Sequence, residues 1–94
     1  IEDKSIVLKL DYNKALEYFK DNNITFDIIF IDPPYNYRII EKLINTIKEY
    51  KLLNSNGLLV LEFKYDKLPD NYDDYILKKK KKYGDKFVYI FRNL

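Results

Sequence analysis

The sequence predicts an α/β fold in which three parallel strands with connecting helices are followed by a carboxyl-terminal antiparallel hairpin. Apolar strand-like segments alternate with amphipathic helical segments along the chain. One of them, FDIIFI at residues 26–31, is almost wholly apolar, as expected for a parallel strand covered on both faces. The 94 residues, with 47% hydrophobic content, suffice for one modest core. We therefore expect residues 1–94 to form a single domain.

The first half of the chain predicts two strands around one helix. IVLKL at residues 6–10 is short and β-branched, and DYNKALEYFK at residues 11–20 follows it. Its apolar residues share one helical face: Tyr12, Ala15, Leu16 and Phe19. The polar segment DNNIT then separates this helix from the strand at residues 26–31.

The second half predicts a longer helix, a third strand and a hairpin. Apolar residues recur every three or four positions from residue 37 to 51, which indicates an amphipathic helix. We expect NSNG to end it, with Gly57 as a left-handed cap. LLVLEF at residues 58–63 predicts a buried strand, and residues 64–74 a polar loop. The turn signal Tyr83-Gly84-Asp85 predicts an antiparallel hairpin in the last segment.

Composition excludes several chemistries and leaves others open. The chain has no Cys and no His, which excludes thiolate nucleophiles, imidazole bases and the usual zinc sites. Its net charge of +2 neither supports nor excludes a nucleic-acid partner. There is no apolar run of membrane-spanning length and no signal-peptide pattern, so we expect a cytoplasmic protein. Because the chain starts at Ile1 and contains no Met, we interpret it as part of a longer protein.

The segment Asp32-Pro33-Pro34-Tyr35 carries the strongest functional signal. It follows a predicted parallel strand, and ligands of open α/β sheets bind beyond the carboxyl ends of such strands. Two consecutive prolines stiffen the segment and remove backbone donors, so acceptors predominate. The Asp32 carboxylate and the Pro33 carbonyl could accept both hydrogens of a planar amino group, while Tyr35 offers a ring for stacking. A simple strand stop and turn is the alternative interpretation.

This segment resembles the [D/N/S]-P-P-[Y/F/W] motif of Rossmann-like, S-adenosylmethionine-dependent amino-group methyltransferases. The order DYNKALEYF, FDIIFIDPPY, GLLVLEF and KKYGDKFVYIFR is similar to the carboxyl-terminal half of the bacterial methyltransferases that modify a guanine exocyclic amine in small-subunit ribosomal RNA. The resemblance covers essentially the whole chain. It implies methyl transfer to guanine N2, with ribosomal RNA or the small ribosomal subunit as partner.

The resemblance also implies the site residues. Asp32, Pro33, Pro34 and Tyr35 would form the catalytic loop. An acid at the position of Asp11 accepts a hydrogen from the cofactor's adenine in family members, and we assign Asp11, Tyr12 and Asp32 to the cofactor. Asp11 is equally well explained as a helix N-cap. No metal site is expected.

Other functions remain open at this point. FDIIFID also resembles the metal-binding strand of a nucleoside triphosphatase, but the chain has no P-loop motif. A noncatalytic RNA-binding or interaction module could keep the fold without the cofactor. DNA adenine and protein glutamine methyltransferases share the four-residue motif. The run Lys78–Lys82 is interpreted as a solvated face rather than an RNA contact, and the role of Glu62 is left open.

A complete enzyme of this type begins with a glycine-rich cofactor loop, and this chain has only Gly57 and Gly84. We therefore expect it to be the carboxyl-terminal part of a catalytic domain, inactive alone. In the complete family fold, two strands lie between the strand before Asp11 and the strand 26–31. Without them we expect a bare apolar edge at residues 26–31, which could pair with residues 6–10, with another chain, or with itself.

Overall fold

The computed structural model describes residues 4–8, 12–31, 37–64, 69, 71–72 and 74–94. Within them, six strands form one sheet in the order β1-β2-β3-β6-β5-β4. The elements in chain order are β1 (Ser5–Leu8), α1 (Tyr12–Asp21), β2 (Phe26–Ile31), α2 (Tyr37–Glu49), β3 (Leu53–Phe63), β4 (Asn71–Tyr72), β5 (Tyr75–Tyr83) and β6 (Lys86–Asn93). The predicted α/β class, the parallel strands and the carboxyl-terminal hairpin are confirmed.

Both helices lie on the same face of the sheet. The strands β1, β2 and β3 are parallel and adjacent in chain order. Since such crossovers are right-handed, successive steps in one direction place both helices on one side. Neither helix in the part of the chain that the structure describes is long and apolar enough to cross a membrane.

The core lies between these helices and the facing side of the sheet. The spacing that predicted α2 is the spacing of its buried side chains, which have no solvent exposure. They are Ile40, Leu43, Ile44 and Ile47. From α1, Leu16 is buried and Phe19 packs edge-on against Phe26 with ring centroids 4.9 Å apart. The sheet contributes Ile29, Ile31, Leu59, Leu61, Tyr89 and Phe91, all within 3% exposure.

Both helices end in the same backbone motif, and Gly57 takes no part in it. After α2, the amide of Leu52 donates to the carbonyl of Ile47 and the amide of Lys51 to that of Lys48, with Lys51 left-handed at φ 54°. After α1, Asn23 adopts φ 55° within the same pair of bonds. These are Schellman motifs without glycine. The predicted cap at Gly57 is therefore wrong, and α2 ends at Glu49 rather than residue 51.

The segment NSNG belongs to strand β3, which starts five residues earlier than predicted. Opposite β2, the register moves from Phe26 paired with Leu53 to Ile28 paired with Leu58, so this segment bulges out of the ladder. Gly57 is buried there, and a Cβ at this position would lie 2.7 Å from the Leu53 side chain and 2.8 Å from the Asn54 carbonyl. Gly57 is thus required for close packing rather than for a left-handed turn.

The other element boundaries differ in small ways. Strand β1 covers Ser5–Leu8, and residues 9–10 of the predicted strand lie outside the described residues. Helix α1 ends at Asp21, one residue later than predicted. The predicted polar loop at 64–74 contains the short strand β4, which pairs with the start of β5. The hairpin turn is as predicted, with Gly84 left-handed at φ 58° between the paired residues Tyr83 and Lys86.

Strand β2 has a partner on each side. The register pairs Leu8 with Ile31 in β1 and Ile31 with Leu61 in β3. Of the three partners expected for the edge at residues 26–31, the structure shows β1 (Ser5–Leu8), the described part of the strand predicted at residues 6–10. The edge of β2 is therefore not bare.

The face of the sheet opposite the helices carries apolar side chains that do not belong to the described core. We call this set the open face, and it comprises Val7, Ile28, Phe30, Leu58, Val60, Val88 and Ile90. Val7 and Phe30 are register partners and are 53% and 38% exposed. The others are partly exposed. Because parallel sheets are normally covered on both faces, the open face is unusual for this architecture.

Candidate functional site

The three parallel strands end next to one another. Leu8 and Ile31 are register partners and are the last residues of β1 and β2, and Ile31 pairs with Leu61, two residues before the end of β3. We call this end of the sheet the carboxyl edge. It is the place where open α/β sheets bind ligands.

The site residues predicted from the sequence follow these strand ends. Asp11, Asp32, Pro33, Pro34 and Tyr35 lie outside the described residues. Tyr12 is the first residue of α1, and its side chain is also outside the description. Ile31, which directly precedes Asp32 in the sequence, is the last residue of β2 and is buried at 3% exposure.

The carboxyl-terminal hairpin reaches the same edge. Strand β6 is antiparallel to β3, and Phe87 at its start pairs with Phe63 at the end of β3. The turn at Gly84 therefore lies at the carboxyl edge. Glu62 is half-buried here and pairs with Val88, and this register places it on the side of the sheet that carries the open face.

Strand β5 carries the lysine run toward this edge. Lys78, Lys79, Lys80, Lys81 and Lys82 are all exposed, which is compatible with a solvated face and with an RNA contact alike. Tyr83 is 54% exposed, and the Lys81 Nζ lies 5.1 Å from its ring centroid. Tyr83 is not among the site residues predicted from the sequence, although it directly follows the lysine run.

A polar cluster fastens the opposite end of the sheet. The Asp27 carboxylate accepts hydrogen bonds from the Lys4 backbone amide and the Asn54 side-chain amide, both at 3.0 Å. The bond from Asn54, then that from Lys4, lowers the pKa of Asp27 below its ordinary value of 3.8. Asn93 donates to the Leu53 carbonyl at 2.7 Å. The cluster holds the amino end of the sheet, and sequence analysis missed it.

A cleft of about 340 Å³ lies at that same amino end. It is lined by Lys48, Lys51, Ser55, Asp74 and Tyr75 among others. Burial, and secondarily the Asp74 carboxylate, raises the pKa of Tyr75. Because this cleft is at the end of the sheet away from Ile31, it is separate from the predicted catalytic loop.

The described residues do not supply the methionine-binding side of an S-adenosylmethionine site. That side is expected to be a glycine-rich turn between a parallel strand and a helix. Gly57 lies inside β3 in contact with Leu53, and Gly84 lies in the hairpin turn. No group of three His, Cys, Asp or Glu side chains in the described ranges could hold a metal ion.

Comparison with known proteins gives a family match over almost the whole chain. The family model described as "Conserved hypothetical protein 95" matches residues 1–92. The protein YlbH of Bacillus subtilis is 31% identical over 87 residues, covering 92% of this chain and 47% of YlbH. Ribosomal RNA small subunit methyltransferase D of Haemophilus influenzae is 28% identical over 81 residues, covering 84% of this chain and 42% of that protein. The chain spans about half the length of the curated relatives it matches.

Solved structures agree with the fold. A conserved hypothetical protein of Streptococcus pyogenes has a TM-score of 0.77 at 28% identity, covering 93% of this chain and 53% of that one. A complex of M1.HpyAVI with S-adenosylmethionine has a TM-score of 0.68 at 20% identity, covering 95% and 53%. At that identity the second likeness shows the fold alone.

Proposed function

The chain belongs to the Conserved hypothetical protein 95 family, and from this premise we propose that it is part of an S-adenosylmethionine-dependent methyltransferase acting on ribosomal RNA. The proposal is supported by the name of the Haemophilus influenzae relative. One structural observation carries it: the parallel strand that precedes Asp32-Pro33-Pro34-Tyr35 ends at the carboxyl edge, between two other parallel strands.

The proposed target is the exocyclic N2 amine of guanine. Such an amine is a poor nucleophile, because its lone pair is conjugated with the ring. The Asp32 carboxylate and the Pro33 carbonyl would accept its two hydrogens, which favours a pyramidal nitrogen with a directed lone pair. The prolines restrict the backbone on either side, so these acceptors are held in position before the base arrives.

When bound, S-adenosylmethionine would supply the methyl group, and the bond from that methyl group to the sulfonium sulfur would break as the bond to nitrogen forms, leaving a neutral thioether. As the N–C bond forms, positive charge develops on the nitrogen, and the Asp32 carboxylate stabilises it more than it stabilises the neutral amine. The surplus proton on nitrogen would leave through the hydrogen bond to Asp32. Tyr35 would hold the base, which must leave its stack to reach the loop.

We also propose that this chain is the carboxyl-terminal part of the catalytic domain and is inactive alone. Asp11 and Asp32 would contact the cofactor from one side, while the glycine-rich side would come from elsewhere in the full-length protein. Isothermal titration of this chain with S-adenosylmethionine should give no binding heat. Binding at micromolar strength would contradict the assignment to half a domain.

The decisive experiment is Asp32→Ala in the full-length protein, with Asp32→Asn as a matched variant. We expect Ala to lower the single-turnover rate of methyl transfer to small-subunit ribosomal RNA by about a hundredfold or more. Cofactor affinity, measured by calorimetry, should change far less. Asn keeps one acceptor oxygen without the charge, so its rate should lie between those of the other two.

The same assay separates the competing functions. Near-normal turnover by Asp32→Ala would contradict the catalytic role of this residue. Wild-type protein that binds RNA but transfers no methyl group would instead be a noncatalytic RNA-binding module. Transfer to DNA adenine or to protein glutamine, without transfer to ribosomal RNA, would replace the proposed substrate.

A further inference from the structure

Strand β5 changes character halfway along its length. Tyr75 is 3% exposed and Leu77 packs against the core, so the strand begins as an ordinary core strand. The register then shifts between Leu77 and Lys79, and every residue from Lys78 to Tyr83 is exposed. We call residues Lys78–Lys82 the lysine strand.

The lysine strand places charge on both faces of the sheet. Lys80 and Lys82 pair with Tyr89 and Phe87, on the side that the helices cover. Lys79 and Lys81 pair with Ile90 and Val88, on the open face. A half-buried strand normally alternates polar with apolar residues, and the apolar residues are buried. In the lysine strand neither set of alternate positions is buried. Residues 78–86 contain six lysines and one aspartate, so this end of the hairpin is strongly basic.

Protection of the sheet edge explains only part of this pattern. Lysine on an edge strand prevents pairing with other chains, and β4 covers only Tyr75 and Ile76 of this edge in the described residues. That task needs charge along the edge, but it does not need lysines at five consecutive positions on both faces. A polyanionic partner would match this positive charge and would use both faces.

The lysine strand lies level with Ile31, the last described residue before the predicted catalytic loop. One register row runs across the sheet through Ile31, Leu61, Tyr89 and Lys80. Three strand spacings of about 4.8 Å separate its ends by roughly 14 Å. Lys81 and Lys82 lie one and two positions further toward the carboxyl edge.

We propose that the lysine strand binds the phosphate backbone of RNA, roughly 14 Å across the sheet from Ile31, the residue that precedes the predicted catalytic loop. This proposal rests on the proposed function, because it takes the RNA to be the methyl-acceptor substrate. Lysine contacts phosphate as a point charge, so the strand positions the substrate without reading its sequence. The exposed ring of Tyr83, at the end of the strand nearest the carboxyl edge, can stack on an unpaired base.

The test compares two triple variants of the full-length protein that remove the same charge. One is Lys79→Gln, Lys80→Gln, Lys81→Gln on the lysine strand. The other is Lys14→Gln, Lys20→Gln, Lys42→Gln, which changes exposed lysines on α1 and α2. Binding of a fluorescein-labelled single-stranded RNA of about 20 nucleotides is measured by fluorescence anisotropy. The KCl concentration is varied from about 50 to about 300 mM, because binding through phosphate contacts weakens steeply over such a range.

We expect the lysine-strand variant to bind about tenfold more weakly at intermediate salt. The slope of log affinity against log salt should fall by about 2, since each phosphate contact contributes about 0.7 in single strands. The helix variant should keep the wild-type slope. Equal slopes for the two variants, or no RNA binding by wild-type protein at the lowest salt, would overturn the proposal.

A failure of RNA binding by the lysine strand can be distinguished from a failure of the proposed methyltransferase function. RNA binding is measured without cofactor, and methyl transfer is measured on the same proteins. If the lysine-strand slope falls but no RNA is methylated, the lysine strand is an RNA contact whose RNA is not a methyl acceptor, and the proposed function fails. If RNA is methylated and the slopes are equal, the proposed function stands and the lysine strand is only a protected edge. Circular dichroism of both variants checks that the fold is kept.

Discussion

Asp27 and Asp32 lie at opposite ends of the same strand and contribute in different ways. Asp32 directly follows β2, and the local sequence was enough to predict it as a site residue. The pattern is an apolar strand followed by an acid and two prolines. Asp27 lies near the start of β2 and accepts hydrogen bonds from Lys4 and Asn54, which are 23 and 27 residues away. Such partners are set by the register of three strands, so no local pattern predicts them.

Asp27 should make the stability of the chain depend on acid. Its hydrogen bonds lower its pKa in the folded state, so the stabilisation is present above about pH 4 and is lost as the pH falls through the folded pKa. Asp27→Asn should lower the melting temperature at pH 7 and should flatten its decline between about pH 4 and pH 2. Thermal unfolding monitored by circular dichroism measures both, with Glu17→Gln on α1 as an exposed control. A decline as steep as that of the wild type would contradict this role.

At Tyr35 the proposed contribution is a flat ring rather than a hydroxyl. Tyr35→Ala in the full-length protein should raise the KM for RNA, because one stacking contact is worth about 1–3 kcal/mol. Tyr35→Phe keeps the ring, so its KM should stay close to that of the wild type. Steady-state methylation assays on the two variants make the comparison. If Phe were as damaging as Ala, the hydroxyl would matter and stacking would be the wrong explanation.

Elements were predicted well where one physical pattern dominates and poorly where distant contacts decide. The apolar run of β2 and the three- and four-residue spacing of α2 located both elements, since burial imposes those patterns directly. The polar segment NSNG instead resembled a turn. In the structure it is a bulge of β3, where Arg92 binds Asn56 and Asn93 binds the Leu53 carbonyl. Those partners lie on β6, some 36 to 40 residues later.

The left-handed residues that end the two helices can be tested by substitution with glycine. Lys51 is held left-handed at φ 54°, a conformation that costs a residue with a Cβ roughly 1–2 kcal/mol and costs glycine little. Lys51→Gly should therefore raise the free energy of unfolding by about 1 kcal/mol. Asn23→Gly, at φ 55°, should gain less, because asparagine tolerates this region. Urea unfolding of both variants gives the comparison. A loss of stability in Lys51→Gly would show that the side chain contributes more than the backbone strain costs.

The arrangement of the whole molecule follows from the strand order. The sequence indicated three parallel strands and a hairpin, but not that β6 would pair with β3 and carry β5 beyond it. This pairing brings the hairpin to the carboxyl edge and places Lys80 in the register row of Ile31. It is set by side-chain packing across the sheet, which local patterns do not encode. The same order places both helices on one side and leaves the other side as the open face.

The open face should make this chain self-associate in isolation. Its two most exposed members, Val7 and Phe30, are adjacent on β1 and β2, and contiguous exposed apolar surface favours association. We expect sedimentation velocity to show a concentration-dependent mass above that of the 11.5 kDa monomer. The double variant Val7→Lys, Phe30→Lys should shift the distribution toward monomer. Tyr18→Lys on α1 is the matched control, because Tyr18 is 59% exposed but lies outside the open face, and it should leave association unchanged. Two results would show that the open face does not drive association: a wild-type chain that stays monomeric at about 100 μM, or an equal effect of both variants. The concentration is chosen because a self-association weaker than about 5 kcal/mol is scarcely populated at about 100 μM.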